Sequence, residues 1–146
     1  MSNSLDFFQD DSNNVQRLVG EWKTYGKLIV AYDFDNTVFD YSKKNNDCAN
    51  VIKLIRECAS LGFHLIVFTS CNNDRLPEIT DYLIENRIPF DAINETPDFI
   101  PFQGRKVYYN ILLDDRAGLS AAMKILWNTI YNIRGIKATD NLKDIG

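Results

Sequence analysis

Apolar positions along the chain follow two different periods. Over residues 12–25, Val15, Leu18, Val19, Trp22 and Tyr25 recur at helical spacing. They predict a helix with one packing face, capped by Asp11 or Ser12 and ended by Gly26. Residues 27–32 (KLIVAY) are instead continuously apolar, as in a strand covered on both faces within a parallel sheet. A polar loop over 36–47 leads to a second helical pattern over 48–61, with Val51, Ile52, Leu54, Ile55 and Cys58 facing inward and Gly62 at its end. Residues 63–69 (FHLIVFT) predict a second buried strand that ends in the polar cluster 70–74. A third helix is expected over 75–86, where Pro77 is tolerated in the first turn. A short strand over 90–93 and a Pro-containing loop over 94–104 follow. A fourth strand over 107–113 (VYYNILL) places Tyr108 and Tyr109 on opposite faces by alternation, and a last helix runs from Gly118 or Leu119 to about Tyr131.

Strands alternating with helices predict an α/β domain with a parallel sheet and right-handed crossovers, a three-layer Rossmann-like arrangement. The expected division is a helical appendage over 1–26, the α/β domain over 27–134, and a polar, loose tail over 135–146. The length of 146 residues suits one core of this kind. A net charge of −4 gives no general attraction to nucleic acid or anionic membrane, so a polynucleotide enters only as a substrate. Three cysteines without metal-ligand spacing fit a reducing cytoplasm. Residues 1–11 lack the cationic and apolar stretches of a leader peptide, and no apolar run is long enough for a membrane span. The oligomeric state is left open.

In a parallel sheet, ligands bind at the carboxyl ends of the strands. At those ends lie Asp33 and Asp35, Thr69 and Ser70, and Asp114 and Asp115. Four carboxylates at one edge repel each other, and a divalent cation relieves that repulsion. An all-oxygen set with no nearby His or Cys points to Mg²⁺ rather than zinc, and Mg²⁺ commonly takes phosphate as a further ligand.

The string Asp33-Phe34-Asp35-Asn36-Thr37 after an apolar strand resembles the first motif, Asp-x-Asp-x-Thr, of the haloacid dehalogenase (HAD) superfamily. Thr69 is similar to its second motif, Lys106 to its third, and Asp114-Asp115 to its acidic fourth, in the family's order. The resemblance covers about residues 27–131. It implies a HAD-type phosphatase: a magnesium-dependent phosphomonoester hydrolase in which Asp33 attacks phosphorus and forms an aspartyl-phosphate. Asp35 would protonate the leaving oxygen and then deprotonate water, while its backbone carbonyl binds the metal. Phe34 would point into the core. Thr69, with Ser70 and Asn36, would hold the substrate, and Lys106 would offset negative charge. Asp114 would be the main metal ligand besides Asp33, with Asp115 direct or through water. A carboxylate at position 35 favours phosphate esters over carbon–halogen or carbon–phosphorus cleavage.

The loop over 36–47 is too short for an inserted cap domain, and 70–105 is used up by a helix, a strand and a loop. An open site of this kind suits a large substrate such as a phosphoprotein or a polynucleotide end. Thr69 is followed by Ser70-Cys71-Asn72-Asn73 rather than by an arginine-bearing pair, which leaves Arg75 or Arg116 as the available arginine. Three other readings accompany this one: a phosphate-binding or interaction domain with little turnover, a polynucleotide-end phosphatase, and a two-metal phosphodiesterase. Each residue also has a structural role open to it. Asp114-Asp115 can cap a helix, Thr69 can shape a turn, Lys106 can be a surface lysine, and His64 can pack without chemistry.

Overall fold

The structure, a computed structural model, describes residues 6–145. Helix α1 (Asp11–Tyr25) is followed by β1 (Ile29–Tyr32), α2 (Ala49–Ser60), β2 (His64–Val67), α3 (Leu76–Glu85), β3 (Ala92–Ile93), β4 (Ile111–Leu113) and α4 (Leu119–Ile145). Asp10, one residue earlier than expected, caps α1: its carboxylate accepts from the Ser12 backbone N–H at 3.0 Å. Gly26 ends the helix at φ 82°, in the left-handed region that a Cβ disfavours.

All strand pairs are parallel, in the order β3-β2-β1-β4. Alternation divides the sheet into two faces. Val30 and Tyr32 of β1, Leu65 and Val67 of β2, and Ile111 and Leu113 of β4 share one core with residues from all four helices. Ile29, Ala31 and Ile66 face the other way, packed against Ile100, Val107, Tyr108, Tyr109 and Leu112. The chain is thus an α/β fold of three layers, in which irregular chain from residues 94–110 supplies the third.

That layer explains why β4 is shorter than the apolar run over 107–113. The Tyr108 N–H donates to Thr96 Oγ1 at 3.1 Å instead of joining a ladder. Tyr108 and Tyr109 both pack against the same apolar cluster, so the alternation expected of them does not occur. Strand pairing begins only after Asn110, whose Oδ1 accepts from the Ile29 N–H at 2.6 Å and whose backbone N–H donates to Ile29 O at 2.8 Å.

Two expected boundaries also differ. Helix α1 is part of the core rather than an appendage: Leu18 is fully buried in the main cluster, and Arg17 donates to the Asn110 carbonyl. The last helix does not stop near Tyr131 but continues through Gly135 to Ile145, so the expected tail is helical over the described residues. No proline interrupts it, a lone glycine costs a helix only about 1 kcal/mol, and Thr139 Oγ1 donates back to the Gly135 carbonyl at 2.9 Å. Among the described residues no helix is long and apolar enough to cross a membrane.

Candidate functional site

The sheet register sets the site. Tyr32 of β1 lies level with Val67 of β2 and with Leu113 of β4. The next residues, Asp33, Phe68 and Asp114, therefore emerge together at the carboxyl edge, one strand spacing apart. Backbone bonds hold this level: the Asp33 N–H donates to Leu113 O at 2.9 Å, and the Phe68 N–H donates to Tyr32 O at 2.8 Å. They bound a cavity of about 260 Å³. Asp33, Asp35, Asn36, Thr69, Ser70, Asp114 and Asp115 all line it, joined by Tyr41, Phe68 and Arg116.

One carboxylate oxygen from each of Asp33, Asp114 and Asp115 lies within 4.8 Å of the others. Burial among like charges pushes the Asp33 carboxyl up to about 7. Burial is the largest cause, followed by its hydrogen bond to Asp115 and the charge of Asp114. A hard divalent cation fits this all-oxygen trio, which offers it three anionic donors and no soft ligand.

Asp35 does not join the trio. Both of its carboxylate oxygens accept from Arg75, at 2.6 and 2.7 Å, in a bidentate pair that fixes the carboxylate plane. Those hydrogen bonds in turn hold the Arg75 proton more tightly than usual. The carboxylate keeps lone pairs for a further partner. Phe34, between the two acids, points into the core as expected, stacked on Phe39 at 5.3 Å between centroids.

The loop after Asp35 is built by its own side chains. Asn36 stands at φ 60°, and its backbone N–H donates to Phe39 O at 2.6 Å. Its amide is occupied with Ser42, accepting from the backbone N–H at 2.9 Å and donating to the hydroxyl at 3.0 Å. Asn36 thus shapes the cavity wall through the loop it holds. Thr37 is buried, and its hydroxyl accepts from the Asp115 N–H at 3.2 Å, tying this loop to the end of β4. Asp114 Oδ1 accepts from the Arg116 N–H at 2.9 Å, a turn contact that leaves it within the acidic trio.

Thr69 is buried at the cavity wall, and Ser70 is exposed beside it. A residue the sequence reading missed braces them. Asn94, at φ 54° after β3, accepts from the Thr69 N–H through Oδ1 and donates to the Thr69 carbonyl through Nδ2, both at 2.8 Å. Its only sequence signal is an Asn directly after a short strand, where that residue type tolerates the left-handed region.

Lys106 is exposed and is not among the residues lining the cavity. It precedes β4 by several residues of irregular chain, so the expected place immediately before a strand is not where it sits. Arg116 is the cationic side chain in the cavity wall. His64 lies outside the cavity, its Nδ1 3.9 Å from Asp91, with burial lowering its proton affinity.

No protein-family model and no curated protein matches the chain. A solved structure of a conserved protein from Bacteroides thetaiotaomicron is similar in fold, with a TM-score of 0.53 and 20% identity over 63% of this chain and 78% of that one. At that identity the likeness bears on the α/β architecture alone.

Proposed function

We propose that the chain is a magnesium-dependent phosphomonoester hydrolase of the HAD type, acting through an aspartyl-phosphate on Asp33. The observation that carries this reading is the meeting of Asp33 and Asp114, from adjacent strands, with Asp115 in one small open cavity. Asp33, Asp114 and Asp115 would hold Mg²⁺, which when bound offsets the charge of carboxylates and phosphate.

Asp33 supplies the carboxylate oxygen that bonds to phosphorus as the ester P–O bond breaks. Asp35 gives a proton to the departing alkoxide, then takes one from the water that attacks phosphorus and releases Asp33. Arg75 holds the ionised Asp35 carboxylate in one plane for the step that takes the proton, and the pair yields at one oxygen when Asp35 carries it. Thr69 and Ser70 face the transferring group from the loop after β2, and Arg116 provides the positive charge that the sequence resemblance gives to Lys106. Catalysis of this kind is mostly positioning, which suits a site whose wall residues are tied by Thr37 and Asn94.

A second reading, a phosphate-binding domain with little turnover, is favoured by the position of Lys106 outside the cavity. Hydrolysis of an aryl phosphate with and without Mg²⁺ separates the two. The enzyme reading expects turnover that needs Mg²⁺ and falls by about 10³-fold or more in Asp33→Asn. Phosphate binding without turnover of any phosphomonoester would leave only the second.

A further inference from the structure

We infer that Tyr41 is a specificity-determining residue that stacks on a planar aromatic ring carried by the leaving group; this rests on the phosphatase reading of the same cavity. Tyr41 lines the cavity, yet its side chain is 59% exposed. Of the exposed aromatic rings, this one stands at the mouth of the acidic cavity, where an open face is available to a ligand.

The loop that carries the ring is also held in place before any ligand arrives. The Tyr41 backbone N–H donates to Phe39 O at 2.9 Å, and the next residue, Ser42, is bonded twice to the Asn36 amide. Beyond it the Asp40 carboxylate accepts from the Lys44 and Asn46 N–H groups at 3.1 and 3.2 Å. The Arg75 guanidinium lies 5.4 Å from the Tyr41 ring centroid and 5.7 Å from that of Phe34. A loop already ordered loses little backbone freedom on binding.

Arg75 also fixes which part of a substrate this ring meets. The same guanidinium that lies against Tyr41 grips both oxygens of Asp35. Asp35 serves the leaving oxygen, so Tyr41 stands on the leaving-group side of the cavity, the side it shares with Arg75 and Asp35. A flat unsaturated ring stacks there, whether a nucleobase or a phenyl group; an aliphatic alcohol has no face to offer.

Two matched pairs test this: adenosine 5′-monophosphate against ribose 5-phosphate, and O-phosphotyrosine against O-phosphoserine. Binding to the Asp33→Asn protein with Mg²⁺ is read by calorimetry, and kcat/KM is read on the active chain. The ring-bearing member of one pair should bind about tenfold tighter or more, and that pair names the source of the ring. Tyr41→Phe should keep the preference and Tyr41→Ala should bring the ratio to about one. An exposed ring leaves no cavity, so both variants should melt with the parent. Equal binding within both pairs, or a preference that survives Tyr41→Ala, would overturn the proposal. Turnover of all four compounds at equal kcat/KM overturns it while leaving the phosphatase reading in place. A ring preference in binding, with no turnover of any compound, supports the platform and removes the phosphatase reading.

Discussion

At the residue scale, the site is a balance of unlike environments imposed on like groups. Asp33 sits half-buried beside Asp114 and Asp115, and burial with those neighbours raises its proton affinity. Asp35, two residues on, is paired with a guanidinium. The shift at Asp33 has a sign that can be checked without any substrate. Its folded value, about 7, lies above the ordinary 3.8, so the folded chain binds more protons than the unfolded one between those values. In chelator, the metal-free protein should lose stability as pH rises from about 4 to about 7. Asp33→Asn should abolish that part of the decline, and denaturant melts of both proteins at pH 5 and pH 8 measure it. Parallel pH dependence in the two proteins would mean that Asp33 is not strained by its neighbours.

The residues whose place was legible in the sequence were those set by strand-end position, namely Asp33, Asp114, Thr69 and the inward Phe34. The partners of Thr37, Asn94 and Arg75 were not legible, because each acts across the fold. Thr37 bonds a residue 78 positions away, Asn94 one 25 away and Arg75 one 40 away. Hydrophobic periodicity carries no record of such pairs.

At the element scale, β1 is the organising piece: it lies between β2 and β4, and its register sets the level of every side chain at the carboxyl edge. Its own level depends on Asn110 and, behind that, on α1, where Glu21 pairs with Arg17 and lies within 3.4 Å of the Asn110 amide. Helix α1 therefore belongs to the machinery that places the sheet. Leu18→Ala, which empties a fully buried position, should destabilise the chain by about 2–5 kcal/mol, read from denaturant unfolding. A loss below about 0.5 kcal/mol, the range of surface changes, would show that α1 packs only loosely. Helix existence was readable from period alone. The extents of β4 and α4 were not, since an apolar run does not say whether it pairs or crosses a face, and a polar run can continue a helix past its last buried turn. In α4 that turn ends at Ile133, and no side chain from there through Asp140 is buried.

At the scale of the whole molecule, four helices cover one face of the sheet and irregular chain covers the other, which leaves the carboxyl edge open. No second domain is inserted over it among the described residues, so the walls of the cavity come from the loops after β1, β2 and β4 themselves. On the proposed reading, such a site leaves room for a leaving group that extends into solvent, with Tyr41 exposed in the cavity lining.

The central claim is a covalent phosphoryl group on Asp33, and chemical trapping tests it most directly. Turnover of an aryl phosphate with Mg²⁺ is quenched with borohydride, which reduces an acyl phosphate to an alcohol, and the peptides spanning residues 33–35 and 114–115 are sequenced by mass spectrometry. The account predicts homoserine at position 33 and unmodified aspartate at positions 35, 114 and 115. Steady turnover with aspartate intact at position 33 would contradict it.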